Sequence, residues 1–445
     1  MPPPAIVIDA FTPAAAPSGL GASHRSVAIA TRGSWLRRFL GFLGPGYLIA
    51  IGYMDPGNWA TDLAGGSAYG YALVWIVALS SAMAMFLQVL SARLGIVSGL
   101  DLAQACRQQS SPGSVVWQWL LCEVAICACD LAEVIGTAIA LKLLFHIPLA
   151  WGVGLTVLDV LLLLWLQQRG WRTLEAVIMS MLVVVLVCFG ISLALAHPQW
   201  GDVVRGFMPS ARTVTDPGML FIAIGIIGAT VMPHNLYLHS SIVQTRRFQS
   251  GAEGTRQAVR FATVDIVAAL CVAFLINAAI LVTSAAVFHA SGHQQVSELQ
   301  DAYLLLGPLT GTTLAAAVFG IALLASGLSS AVTATLAGQI VMEGYVRLKM
   351  PPWMRRLVTR GIAIVPALLV TLVYGEAGIG KLLLFSQVVL SLQLPFAIVP
   401  LIRYTSSRQL MGEFANRKAT VAVAVAIAAI IIGLNGALLW KAVAP

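Results

Sequence analysis

Two short strings carry the residue types from which a cation site is built. The first reads Gly52-Tyr53-Met54-Asp55-Pro56-Gly57-Asn58 and the second Ala229-Thr230-Val231-Met232-Pro233-His234-Asn235. Both contain Pro-x-Asn, and a shift of 177 positions lays Pro56 on Pro233 and Asn58 on Asn235. Each string lies inside a long apolar run. Proline lacks the N–H that a helix needs and collides with the carbonyl one turn earlier, so Pro56, with Gly57 beside it, and Pro233 predict two helices opened midway, with carbonyl groups freed at the breaks. The first break offers the Asp55 carboxylate and the Asn58 amide oxygen. The second offers the Met232 thioether and, three residues earlier, the Ala229 carbonyl. A carboxylate within a membrane needs a cation or a proton as its partner. Thioether sulfur adds little for Mg2+ or Ca2+ but suits Mn2+, Fe2+ and their neighbours, so the set favours a transition metal. The plainer readings are Met232 as an adaptable core residue and Asp55 as a helix N-cap, and the second is compatible with metal binding.

A second polar track lies on another apolar run. Glu123, Asp130 and Glu133 follow one another at steps of seven and three residues, which places them at about 0, −20 and −80 degrees on a helix, one stripe among Leu, Ala, Val and Ile. Carboxylates in such a place mark proton relays or ion pathways by default, and Arg355, Arg356 and Arg360 at the start of a later run are their candidate partners, Arg356 and Arg360 one turn apart. A proton released from Asp55 would then move past Glu133, Asp130 and Glu123. The alternative is a static ion-pair brace between helices. His234 follows Pro233 directly and His239 lies about 140 degrees further round the helix, so the two do not readily face one site. A hydrogen-bonded structural histidine is the starting assumption for each. Asp159, Glu175, Asp265, Asn277 and Glu343, in or at the ends of apolar runs, are read as helix braces or gating residues.

The elements that must position these groups follow from composition. Of 445 residues, 59% are hydrophobic and 10% charged, against about 25% charged in ordinary soluble domains. That excludes a water-soluble globule. Apolar runs fall at 40–68, 71–94, 114–145, 148–167, 172–196, 217–245, 257–288, 310–346, 355–374, 379–403 and 418–441, which predicts an all-α polytopic membrane protein of eleven transmembrane helices. The net charge of +8 is explained by topology rather than nucleic acid: with the N-terminus cytoplasmic, 21 of the 26 Lys and Arg residues fall on the inner side, which the positive-inside rule requires. The C-terminus is then outside. The two matching breaks sit in the first and sixth runs, which cross in opposite directions, the expected trace of two inverted five-helix repeats with helices 1 and 6 broken. The division expected is a disordered cytoplasmic tail over 1–35, a first repeat over 36–200, a second over 201–410 and an eleventh helix in 411–445. The tail is rich in Pro, Ala and Ser and lacks the pattern of a cleaved signal peptide. Cys106, Cys122, Cys127, Cys129, Cys188 and Cys271 form no C-x-x-C pair and read as small apolar fillers.

With Asp55-Pro56-Gly57-Asn58, Met232-Pro233-His234-Asn235 and the run from Ala325-Ser326-Gly327-Leu328-Ser329-Ser330 to Met342-Glu343-Gly344, the chain from about residue 40 to 441 resembles the Nramp family of proton-coupled divalent metal transporters, close to its bacterial manganese-transport branch. The resemblance implies a leucine-transporter-like fold. It also implies metal held by Asp55, Asn58, Met232 and the Ala229 carbonyl, with the Gly52 carbonyl or Gln387 joining in some conformations. Gln387, in Ser386-Gln387-Val388-Val389-Leu390-Ser391, lies in the family's tenth-span motif. Gly52 stands where relatives commonly carry another small residue, which leaves a carbonyl available in a looser segment. The resemblance implies the same proton track and places His234 beside the metal aspartate, where a group titrating near neutrality tunes proton uptake.

The function expected is import of Mn2+, and of Fe2+, coupled to proton movement across a bacterial inner membrane, by a monomer without a resident cofactor. A sodium-coupled amino-acid transporter of the same fold would want bare half-helix N-termini for its substrate's carboxylate. A metal sensor would carry a large output domain, and a magnesium-selective relative would lack the methionine. No nucleophile elbow, phosphate loop or H-E-x-x-H string is present, so no enzyme is expected.

Overall fold

Pro, Gly and Asp set the helix boundaries along the apolar runs. The computed structural model describes residues 23–29, 34–158, 169–296, 298–346 and 378–443, with further positions at 165–166 and between 354 and 369. After a two-residue strand β1 (Val27–Ala28), helix α1 spans Trp35–Phe42 and is capped by the Ser34 side chain. The first expected span is two helices, α2 (Pro45–Gly52) and α3 (Pro56–Tyr69), each with proline at its first position, where the missing N–H costs nothing. Helix α4 (Val74–Ser98), the short α5 (Leu102–Gln109) and the long α6 (Pro112–Phe145) follow, then α7 (Leu149–Leu155) and α8 (Trp171–Ala196). The sixth span is again two helices, α9 (Pro217–Val231) and α10 (Pro233–Ile242), parted by Met232 alone. Beyond strand β2 (Arg246–Arg247) come α11 (Ala252–Ser284), α12 (Leu299–Thr310), α13 (Thr313–Val346), α14 (Ile379–Ser406) and α15 (Lys418–Val443).

Among the described residues eight stretches are long and apolar enough to cross a bilayer, and the first of them, Pro56–Ser98, contains both α3 and α4. The fourth expected span is described as Leu149–Leu158. The ninth, with Arg356 and Arg360, lies outside the described residues except for scattered positions.

Packing repeats itself in pairs. The two halves of span one, α2 and α3, lie on α11, while the two halves of span six, α9 and α10, lie on α4. Span three (α6) packs on span ten (α14), and span eight (α13) on span five (α8). Likewise α3 meets α6 as α10 meets α13, and α2 meets α8 as α9 meets α14. Each contact maps onto its counterpart when five is added to or subtracted from the span number, which is the signature of two like-built repeats wrapped around each other. The last helix, α15, stands outside this scheme against α14 and α9, pinned by Asn435, which donates to the Ser391 carbonyl at 2.8 Å.

Within the segment expected as a tail, residues 23–29 are described and run against a later part of the chain. Val27–Ala28 pairs in parallel with Arg246–Arg247, and the Arg25 N–H donates to the Gln244 carbonyl at 2.9 Å. Composition does not reveal this, because the partner that satisfies the backbone lies far along the chain.

Candidate metal-binding and proton-transfer site

Asp55 is the N-cap of α3: its Oδ1 accepts from the Asn58 N–H and from Asn58 Nδ2, both at 2.8 Å. Its other oxygen, Oδ2, is buried without a hydrogen-bond partner among the described residues. Capping thus engages one oxygen of the carboxylate and leaves the other to a different partner. Asn58 Nδ2 also donates to the Ala229 carbonyl at 3.1 Å, so the two breaks touch through expected ligands. Two other backbone oxygens of the first break, those of Tyr53 and Met54, are committed elsewhere. Asn277 Nδ2 donates to the Tyr53 carbonyl at 2.8 Å, and Trp59 Nε1 and the Ser326 hydroxyl donate to that of Met54.

Met232 sits at φ +31 and ψ 100, fully buried. An L residue adopts this backbone only under strain, at a cost of about 1–3 kcal/mol that the surrounding structure must offset. Its sulfur is held by Asn235 Nδ2 at 3.3 Å. The Pro-x-Asn repeat pointed to Asn235 without giving it a task; the structure sets its amide against the thioether. Gly52 belongs to this arrangement as well. A Cβ there would lie 2.7 Å from Asn235 Nδ2, so the absent side chain admits the amide. Gln387, fully buried on α14, donates to Ser386 Oγ at 3.0 Å and leaves its Oε1 without a partner among the described residues. Its amide occupies the space a side chain at Gly57 would need.

Two buried acceptor oxygens, Asp55 Oδ2 and Gln387 Oε1, have no donor among the described residues, and such an acceptor is costly unless a proton, a water or a cation satisfies it. Among the described residues no three His, Cys, Asp or Glu side chains gather as a metal site. The expected set is of another kind, one carboxylate completed by amide, carbonyl and thioether groups.

On α6, Glu133 and Asp130 are buried and Glu123 is half-buried, with Trp119 Nε1 donating to Glu123 Oε1 at 3.0 Å. Cys129, read from sequence as a filler, lies 3.7 Å from His234 Nε2 and 3.8 Å from Glu133 Oε1. It links the first turn of α10, next to Met232, to the acidic stripe. The signal for it was its position four residues before Glu133, on nearly the same helix face. The pairing of the stripe with Arg356 and Arg360 falls outside the described residues. His239 is hydrogen-bonded to Gln88 Oε1 at 2.8 Å, and Gln88 Nε2 donates to the Tyr53 hydroxyl at 2.7 Å. The remaining expected braces are engaged: Glu175 with Arg246 at 2.8 Å, Asp265 with the Gly46 N–H at 2.7 Å, and Glu343 with Gln339 Nε2 at 2.8 Å. Asp159 lies outside the described residues.

Comparison with known proteins places this geometry. The profile of the family described as natural resistance-associated macrophage protein-like, Nramp, matches residues 46–441. A divalent metal cation transporter, MntH, of Xanthomonas campestris is 60% identical over 426 residues, covering 96% of each chain. A protein of the same name from Bradyrhizobium diazoefficiens is 58% identical, over 93% of this chain and 92% of its own. Among solved structures, the Eremococcus coleocola manganese transporter, in complex with an aromatic bis-isothiourea compound, superposes with a TM-score of 0.87 at 40% identity, over 94% of this chain and 89% of that one. Mhp1, a nucleobase-cation-symport-1 family transporter, superposes with a TM-score of 0.61 at 16% identity, over 89% of each chain, and shares the fold alone. The fold is the leucine-transporter-like one with broken helices 1 and 6. Matched over nearly its whole length by the family's profile and by relatives at more than half identity, the chain belongs to the Nramp family.

Proposed function

We propose that this protein carries divalent transition metal ions, Mn2+ and also Fe2+, into the cell in step with protons, as a monomer in a bacterial inner membrane with its N-terminus cytoplasmic and its C-terminus outside. One observation carries the reading. At the meeting of two helix breaks, the donor-less oxygens Asp55 Oδ2 and Gln387 Oε1 lie buried with the Met232 sulfur and Ala229 carbonyl on the facing half-helices. Asp55 Oδ2 is the anionic ligand, and Met232 supplies the soft one. Asn58, the Ala229 carbonyl and Gln387 complete the shell, with the Gly52 carbonyl joining as the helices move.

The carboxylate cannot hold a proton and a metal ion on the same oxygen, so metal binding at Asp55 favours its ionised form. The released proton has a route by His234, Cys129 and Glu133 to Asp130 and Glu123, with Arg356 and Arg360 as the basic partners of the stripe. A sodium-coupled amino-acid carrier of this fold fits less well, because Asp55 already occupies the N-terminus of α3 with a negative charge.

The test is Mn2+ uptake into proteoliposomes, with Ca2+ and Mg2+ as competitors, with and without an inward proton gradient. The wild type should show gradient-stimulated uptake that resists both competitors. D55N should abolish uptake, and normal uptake by it would sink the assignment of Asp55. M232A should lose resistance to Ca2+ and Mg2+ more than it loses Mn2+ transport. Uptake indifferent to the gradient would make the stripe on α6 a brace.

A further inference from the structure

The sequence readings left the tail and α1 without a task, yet they frame a basic cleft. It lies between α1, the tail strand and α11, with Arg38, Arg247, Gln249 and Gln257 among its polar walls and Phe42 and Phe261 in its floor. Arg38 is fixed at the wall by its bond to Gln257 Oε1, and Arg247 by donating from Nε to the Arg25 carbonyl at 3.2 Å. Among the described residues Arg25, Arg37, Arg38, Arg247 and Arg260 make no ion pair, while Glu253 at the start of α11 and Glu175 on α8 are already held by Arg256 and Arg246. The cleft therefore presents guanidinium groups with no carboxylate to match them.

Helix α1 adds an apolar edge to this charge. Trp35 and Phe39 stack at 5.2 Å and both rest against Phe261, which anchors one side of the helix. On the other side Leu36 and Leu40, one turn apart, are 58% and 55% exposed, with exposed Arg37 beside them. An exposed apolar arc bordered by arginine is the pattern of a helix lying in a membrane interface over anionic headgroups.

We propose that this cleft binds the phosphate of an anionic phospholipid of the cytoplasmic leaflet, with Arg38 and Arg247 as its ligands and the acyl chains running along Leu36 and Leu40. The site stands at the foot of α2. Arg246 donates to the carbonyls of Phe42 and Leu43 at 2.8 and 2.9 Å, and Arg172 donates to that of Leu43 at 2.8 Å, so the end of α1, directly ahead of the half-helix that leads to Asp55, is held to β2 and α8.

The assignment to the cytoplasmic leaflet rests on the orientation proposed above; retention of lipid does not. The test is native mass spectrometry of the full chain, released from detergent after equilibration with equal amounts of phosphatidylglycerol and phosphatidylcholine. The wild type should retain phosphatidylglycerol in preference. Each arginine near an anionic surface contributes on the order of a factor of five, so R38Q/R247Q should weaken retention by about 30-fold. R247Q alone, at an exposed position, should weaken it by about fivefold and keeps the test informative if the double variant misfolds. R205Q/R212Q, which removes the same charge at a remote place, should change nothing.

Equal retention of both lipids by the wild type, or undiminished phosphatidylglycerol on R38Q/R247Q and on R247Q, would overturn the proposal. So would capture of added inorganic phosphate without preference for phosphatidylglycerol, which would mark a free-anion site. Protease cleavage of the tail from outside sealed cells would overturn the leaflet. None of these outcomes bears on Mn2+ uptake, which is measured separately.

Discussion

The backbone at Met232 gives a prediction of inverted sign. In a buried helix interior, replacing alanine by glycine costs about 0.5–1 kcal/mol in chain entropy and about 0.8 kcal/mol for the lost methyl, some 1.5 kcal/mol together. Ala223, buried in α9, is such a position, and A223G should show that loss. At position 232 the same two costs oppose the release of strain at φ +31, worth about 1–3 kcal/mol to glycine. The midpoint of that range outweighs them by about 0.5 kcal/mol. M232G should therefore be as stable as M232A or slightly more so, although both lose the thioether and its packing. The assay is equilibrium unfolding in mixed micelles with increasing dodecyl sulfate, followed by far-UV circular dichroism. A glycine penalty at 232 equal to that at 223 would refute the claim that the break stores strain in this residue.

Three further outcomes are expected. R246M should destabilise the fold by up to about 3–5 kcal/mol, because it leaves the buried Glu175 carboxylate with only the half-exposed Arg172 at 3.5 Å, and E175Q/R246M should recover at least about 1 kcal/mol in the same unfolding assay. N235A should raise the Mn2+ concentration for half-maximal uptake by about threefold, the worth of one weak hydrogen bond, since the sulfur loses its donor; an unchanged value would mean that Asn235 does not aim the thioether. Glu298, just ahead of α12, has its carboxyl pushed up by burial to about 7, against the opposing pull of the Gly380 N–H it accepts. Between its ordinary value of 4.5 and about 7 the folded chain holds a proton that the unfolded chain has released, so this group's contribution to stability falls as pH rises through that window. E298Q should match the wild type at lower pH and be the more stable of the two above pH 7, and parallel pH profiles would contradict the assignment.

The breaks were legible because proline at the first position of a half-helix and an Asp N-cap are local rules, readable at Asp55-Pro56 and at Pro233 without any partner. The residue types that meet at the breaks were legible for the same reason. What the sequence hid was contact. Cys129 looks like one of six apolar thiols until α6 and α10 are brought together, and Gly52 looks permissive until Asn235 fills the space beside it. The strand pairing of Val27 with Arg246 joins segments too short to carry a hydrophobic pattern. Strain at Met232 was equally invisible, since no residue type announces it.

The bond between Asn58 and the Ala229 carbonyl has a consequence for how tightly cargo is held. On the ligand set proposed above, an ion that draws on the Ala229 carbonyl competes with the bond that Asn58 Nδ2 makes to it, and its apparent affinity is discounted by up to the worth of that bond, about 1 kcal/mol or roughly fivefold. A storage protein would gain nothing from such a discount. A carrier gains a faster departure: when the ion leaves, the clasp closes in its place, the two half-helices remain joined, and the empty protein is ready for its return stroke.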